Sequence, residues 1–257
     1  MVIYDFGANK GQNLEYYLSK KLKVVAVEAN PLLCDSICRK FHIEIANKSL
    51  VVLNYCLTDN KSDEYVEFFV HKLNDVLSQF IPPHKDIFND FSIILVKSCK
   101  PSEIIFEFGS PHYIKIDLEH YDFNVLNELL SNNIKPTYLS VEVHDFRIIK
   151  KIIESKYFIF FNVVIGSNVP KMYPKFRAHS AGPFGLDLKT PWINENQIIN
   201  LFDTIGAGWI DIHASNNLNL QFGDFSFSNY VFEETFLSRL LRIVKRFFIY
   251  RWCKSSN

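Results

Sequence analysis

The sequence predicts an α/β protein with a doubly wound, mostly parallel sheet. Three observations carry that prediction. Short apolar runs end in an acidic residue, as in Val2-Ile3-Tyr4 before Asp5 and Val24–Val27 before Glu28. These runs are continuous rather than alternating, which suits strands covered on both faces. Segments with helical spacing separate them, giving a β-α-β-α-β order with right-handed crossovers.

The elements follow in order. Val2-Ile3-Tyr4 is a first strand leading into a Gly-bearing loop. Residues 12–22 carry Leu14, Tyr17, Leu18 and Leu22 at helical spacing. Val24–Val27 is a second strand, and Pro31 opens a helix running to about residue 47. Val51-Val52-Leu53 starts a third strand. Residues 63–70 read as an added strand and 71–92 as a polar loop containing Pro82-Pro83. Strand and helix then resume, with strands at 113–117 and 138–144 and helices at 121–132 and 146–155. An aromatic strand over 157–165, a helix over 194–205 and a strand over 209–213 complete the core. Residues 166–195 hold three of the nine glycines and four of the ten prolines, marking a long loop of the kind that often carries function.

The predicted organisation is one domain over 1–235, with insertions at about 71–110 and 166–195. A basic amphipathic helix over 236–257 follows. In it Leu237, Leu240, Leu241, Val244, Phe247 and Phe248 share a face opposite Arg239, Arg242, Lys245 and Arg246, and no acid follows Glu234. Two readings of this tail stay open: packing on the domain, or peripheral contact of 236–254 with an anionic membrane surface.

Composition narrows the function classes. A chain of 257 residues with 48% hydrophobic content can bury one sizeable core. Zero formal net charge gives no basic footprint for nucleic acid. Five cysteines without a CxxC pair suggest a reducing compartment. The start has no basic segment before an apolar run, and no run of about 18 apolar residues occurs, so neither a leader nor a membrane span is expected. The expected location is cytoplasmic, with membrane association limited to the tail.

The loop DFGANKG at 5–11 is the first motif with chemistry in it. Gly7 and Gly11 permit a tight turn and a close backbone approach. The following helix is expected to offer free N–H groups to an anion, while Asp5 receives an ammonium group. Alone, the loop reads equally as an ordinary strand-to-helix turn. Glu28 sharpens it, because an acid about 20 residues further on meets ribose hydroxyls in nucleotide-binding α/β folds. The spacing Gly7-x-x-x-Gly11 does not meet GxGxxG, which weakens an NAD(P)-dependent oxidoreductase. No GxxxxGK[ST] occurs, which excludes a P-loop.

Strand ends further along carry titratable groups. Lys115, Asp117 and Glu119 alternate in KIDLEHYD, where a Lys–Asp pair beneath the site explains part of the pattern. Glu142 and His144 share a face in VEVHD, and a carboxylate beside an imidazole makes a general-base pair. A satisfied structural histidine is the competing reading. Asp211 and His213 form a similar pair that reads better as structure. Cys34, Cys38 and His42 lack a fourth zinc ligand. Carboxylates 117, 119 and 142 are the right chemistry for Mg²⁺, but sequence does not bring them together, so no metal is assigned.

With these motifs in order, the chain resembles the FkbM family of S-adenosylmethionine-dependent methyltransferases. DFGANKG (5–11), VVAVEANP (24–31), VVLNYCLTD (51–59), YIKIDLEHYD (113–122) and LSVEVHD (139–145) carry the resemblance, with SAGPFGLD (180–187) and GWIDIH (208–213) similar to a subgroup. It implies a Rossmann-like, class I methyltransferase sheet of seven strands, six parallel and one reversed. It implies cofactor contact at Asp5, Gly7, Asn9, Gly11, Glu28 and Asp117, with Asn54, Cys56 and Leu57 flanking the adenine. Members typically O-methylate hydroxyls, often on sugars, glycans or polyketide products. His144 is then the first choice of base, supported by Glu142, with Asp117 the second choice. The family's Glu-Gly-x-Glu is here Glu119-His120-Tyr121-Asp122, which puts a side chain where backbone usually lies. The insertions at 71–110 and 166–195 are expected to cap the acceptor. A reading from another class is a cofactor-fold interaction module at a membrane surface.

Overall fold

The computed structural model of the chain describes residues 1–60, 64–176, 180–205, 209–224 and 226. The expected C-terminal helix over 236–257 lies outside the described residues. The order begins β1 (Val2–Phe6), α1 (Leu14–Ser19), β2 (Lys23–Val27), α2 (Pro31–Lys40), α3 (His42–Ala46) and β3 (Leu50–Leu53). The single helix expected over 31–47 is two, separated at Phe41. There follow β4 (Cys56–Leu57), β5 (Tyr65–His71), β6 (Phe91–Cys99), α4 (Pro101–Phe108) and β7 (Pro111–Ile116). Then come α5 (Asp122–Ser131), β8 (Tyr138–Glu142), α6 (Phe146–Glu154), β9 (Phe160–Ile165), α7 (Val169–Met172), α8 (Glu195–Ile205) and β10 (Ile210–Ser215).

Seven strands form one sheet in the order β3-β2-β1-β7-β8-β10-β9. Only β10 is reversed, running antiparallel to both β8 and β9. The chain winds outward from β1 through β2 to β3, then returns to β7 on the other side of β1. That reversal opens a crevice at the carboxyl ends of β1 and β7, where open α/β sheets bind ligands.

The stretch 71–110 is not a single loop. Its β6 pairs antiparallel with β5 and parallel with β4 in a separate three-stranded sheet. Its α4 packs Ile104 and Ile105 into the main core. Pro101 at the first turn of α4 is a local helix-start signal.

Alternation along the strands sorts side chains between two layers. Tyr4, Phe6, Ile114, Ile116, Leu139 and Val141 join the cluster built with α4, α5, α6 and α8. Ile3, Val24, Ala26, Tyr113 and Tyr138 join the layer of α1 and α2. Over β7 and β8 that second layer is completed by the long loop. Phe184 stacks on Tyr113 with centroids 4.0 Å apart, and Asn13 of the α1 side accepts hydrogen bonds from Ser180 Oγ and the Ala181 amide. The described part of 180–191 therefore serves as a packing layer on the sheet.

Register produces a feature invisible to any one strand. Ala26, Asp5, Lys115, Ser140, His213 and Asn162 are consecutive cross-strand partners over six strands. Five of these six are polar, and they lie on the α1 and α2 face. Burial of such groups is costly without partners. Asp5 meets Lys115, Ser140 meets the Tyr113 hydroxyl at 2.6 Å, and Asn162 bonds both the hydroxyl and the carbonyl of Thr190. His213 is buried with Nε2 unpartnered, and burial holds its pKa down at about 3. WIDIH therefore supplies a neutral core histidine.

Candidate active site

The end expected to hold the cofactor is built by backbone. Gly7 has φ +83°, and a Cβ there would sit 1.9 Å from the Asp117 carbonyl oxygen. Glycine is thus required by the end of β7, the chain's own backbone. Gly11, at φ +69°, lies against Leu14 and Ile37, where α1 meets α2. The loop amides are occupied within the chain. Gly7 and Ala8 donate to the Val27 carbonyl, Asn9 to Glu28 Oε2 at 2.7 Å, Lys10 to the Asn9 side chain and Gly11 to the Ala8 carbonyl. They form no free anion cradle, because α1 starts only at Leu14 and the loop folds back onto the end of β2.

Glu28 is the hub of this end. Its other oxygen accepts from the Asn30 amide at 2.8 Å. The Asn54 side chain donates to the Glu28 and Ala29 carbonyls, tying the end of β3 to the end of β2. Burial pushes the Glu28 carboxyl up to about 7, against the pull of the two amides. A carboxylate has about four acceptor sites, so two remain for hydroxyl donors. Cys56 and Leu57 are buried, and Cys56 packs with Ala29 and Phe80 of the 72–90 loop.

Asp5 is fully buried. Its neighbour is the Lys115 ammonium at 3.5 Å, which also lies 3.0 Å from Asp117 and donates to the Gly7 carbonyl. Burial raises Asp5 to about 6, with Lys115 opposing. Lys115 thus links the end of β1, the glycine loop and the end of β7. Against burial, it holds the Asp117 carboxyl below the usual range.

The far side of the crevice is crowded with acids. After β7 the chain takes two consecutive left-handed residues, Glu119 (φ +48°) and His120 (φ +76°). Such backbone costs on the order of 1 kcal/mol or more per non-glycine residue. A glycine at position 120 would adopt it freely. The turn is held by the Leu118 amide donating to Asp122 Oδ1 at 2.8 Å. It returns Glu119 so that ligand oxygens of Asp117, Glu119 and Glu142 all lie within 4.8 Å of one another. The three carboxylates that sequence left scattered are one cluster.

His144 joins them. Its Nε2 is 2.9 Å from Glu142 Oε2 and 3.8 Å from Asp122 Oδ2, and its ring lies 4.5 Å from the His120 ring, centroid to centroid. Burial drives the Glu142 carboxyl far up, and the charges of Asp117 and Asp211 add to it. Burial likewise raises Asp211 to about 8 and Glu119 to about 7. Asp122 and Asp211 were not in the predicted site. Asp122 closes the KIDLEHYD motif and Asp211 lies in WIDIH, and only the turn after β7 and the β8–β10 pairing bring them to Glu142.

A mostly parallel seven-stranded sheet with its acidic residues gathered at the β1–β7 crevice is the architecture of class I methyltransferases. Residues 5–159 match the family described as the methyltransferase FkbM domain, and the chain belongs to that family. It is therefore an S-adenosylmethionine-dependent methyltransferase. No curated protein matches the chain. Among solved structures it is similar to a precorrin-6y C5,15-methyltransferase from Geobacter metallireducens, at 11% identity and TM-score 0.36, covering 64% of this chain and 66% of that one. It is also similar to an S-adenosylmethionine-dependent methyltransferase from Aquifex aeolicus, at 14% identity and TM-score 0.32, covering 64% and 75%. A geranyl diphosphate methyltransferase in complex with S-adenosylmethionine gives 12% identity and TM-score 0.37, covering 83% and 77%. Among the described residues no helix is long and apolar enough to cross a membrane.

Proposed function

We propose that the chain methylates a hydroxyl oxygen on a sugar, glycan or glycolipid, with His144 as the base. The observation that supports this is the 2.9 Å pairing of His144 Nε2 with Glu142 at the carboxyl end of β8, opposite Asp117. A hydroxyl is a weak nucleophile until its proton leaves, so such an acceptor needs a base. Glu142 flanks the imidazole at Nε2 without a hydrogen bond, and a neutral imidazole carries one ring nitrogen able to take the acceptor proton. Asp117 is the weaker choice, because Lys115 stabilises its ionised form. Several carboxylates along one rim also suit an acceptor rich in hydroxyl donors.

S-adenosylmethionine supplies the activated methyl group when bound. Glu28, with acceptor sites left over, holds the ribose hydroxyls, and the 5–11 loop and Asn54–Leu57 line the remaining contacts. Asp5 acts through Lys115, as a positioning residue. Radiolabelled methyl transfer to glycan and glycolipid extracts, followed by linkage analysis, tests the acceptor. Label on nitrogen or carbon would overturn it. His144→Ala should cut turnover by about 10²-fold or more, and near-wild-type turnover removes His144 from the role.

We also propose that residues 236–254 meet an anionic membrane surface, on the strength of six basic residues with no acid. Binding to phosphatidylserine vesicles should be lost when 236–257 is removed. Binding that survives the truncation overturns this.

A further inference from the structure

The acid cluster gathers more carboxyl groups than cationic side chains. Asp117, Glu119 and Glu142 converge within 4.8 Å, with Asp122 and Asp211 behind them. The cationic partners nearby are Lys115, which reaches Asp117 from the buried side, and the His144 imidazole. Asp122 makes an independent point. It is 1% exposed, and its Oδ2 has no hydrogen-bond donor. That oxygen is turned inward, 3.8 Å from the same His144 Nε2 that Glu142 faces at 2.9 Å. A buried carboxylate oxygen without a donor, beside the imidazole that faces the cluster, calls for positive charge there.

We infer that Asp117, Glu119 and Glu142 bind a divalent cation of the hard, oxygen-preferring kind, Mg²⁺ or Mn²⁺. The donor set is all carboxylate oxygen, which favours these ions over zinc or copper. Ligands about 2.1 Å from one ion lie roughly 3–4 Å apart, so small side-chain adjustments within the 4.8 Å cluster suffice. Three carboxylates from the ends of β7 and β8 occupy one side of such an ion. The positions left open face the crevice and take water or an acceptor hydroxyl. A hydroxyl on the ion becomes a better acid and aligns beside His144. That last consequence rests on the hydroxyl-acceptor reading, whereas the cation site stands without it.

Mn²⁺ titration of the metal-stripped full chain, followed by the free-ion paramagnetic resonance signal, tests the site. The expected result is one saturable Mn²⁺ per chain. Glu119→Gln and Glu142→Gln should each weaken it about 10-fold or more, and the exposed Glu67→Gln should leave it unchanged. S-adenosylmethionine binding in chelator checks that each variant is folded. In the wild type, Mn²⁺ should also broaden the imidazole proton resonances of His120 and His144 before those of His42 and His84. Absence of saturable binding, wild-type affinity in Glu119→Gln, or broadening that spares His120 and His144 overturns the site. The identity of the methylated atom is read separately, so failure of the acceptor reading leaves this result intact.

Discussion

Glu28 and Glu142 end parallel strands of one sheet, on the same edge and each 7% exposed, yet their surroundings are opposite. Glu28 has a backbone amide on each oxygen, from Asn9 and Asn30. Burial lifts it only to about 7. Glu142 meets one imidazole and several other carboxylates, and is lifted much further. Burial alone is a moderate cost, whereas burial among like charges is a large one. The chain completes the cofactor side with its own donors. On the proposed reading, the Glu142 end is completed from outside, by substrate or by cation.

Breaking each side should therefore read out differently. The largest effect belongs to Gly7→Val, which puts a branched side chain into a left-handed residue 1.9 Å from the Asp117 carbonyl. S-adenosylmethionine affinity should fall at least about 10²-fold by calorimetry, since the turn cannot close. Retained affinity would mean that the β1–β7 approach is dispensable.

The comparison sharpens with a pair of isosteric changes. Glu28→Gln weakens hydrogen bonds made to a charged acceptor, each worth about 1.5–3 kcal/mol. Cofactor affinity should drop roughly 10- to 100-fold. Glu142→Gln should keep cofactor affinity within about 2-fold while lowering turnover. An equal loss of affinity in both would erase the division between the two ends.

His213 offers a smaller effect through pH. Its pKa is about 3 folded and 6.5 unfolded, so the unfolded chain binds the extra proton between those values. Stability from this group is complete above pH 6.5 and is lost as pH falls towards 3. At pH 5 the loss is about 2 kcal/mol. His213→Leu should remove that increment from the difference between urea midpoints at pH 7.5 and pH 5. An unchanged difference would mean that His213 takes up its proton without unfolding. The smallest effect is that of His120→Gly, which relieves the φ of +76°. It should change stability by no more than about 1 kcal/mol in either direction, because the gain offsets a lost ring contact with His144. A larger loss of stability would make the two-histidine contact structural.

Much of the cofactor side was legible because its signals are local. Continuous apolar runs marked β1, β2, β7 and β8, and the acids that end them stand at the carboxyl edge of the sheet. The acceptor side was only partly legible. KIDLEHYD and VEVHD read as chemistry, yet Asp122, the last residue of the first, was given no role, and Asp211 in WIDIH read as structure, because only the tertiary structure brings them to Glu142. β5 was read as an added strand, whereas β6 and α4 were merged into one insertion. In FSIILVKSC the run Ile93–Val96 is apolar like that of a core strand, and only its partner reveals that it pairs with β5 in a separate sheet.

By itself, the sequence determined the α/β class, the strand-end acids, the glycine loop and the resemblance that the family match bears out. Periodicity and turn chemistry are properties of a few adjacent residues, and a chain carries them before it folds. Tertiary structure alone decided which groups meet. Strand pairing aligned Asp5, Lys115, Ser140, His213 and Asn162 in one row. The left-handed turn at 119–120 drew Glu119 towards Asp117 and Glu142. Both outcomes depend on distances between segments far apart in the chain, and electrostatic interactions follow those distances rather than the residue order.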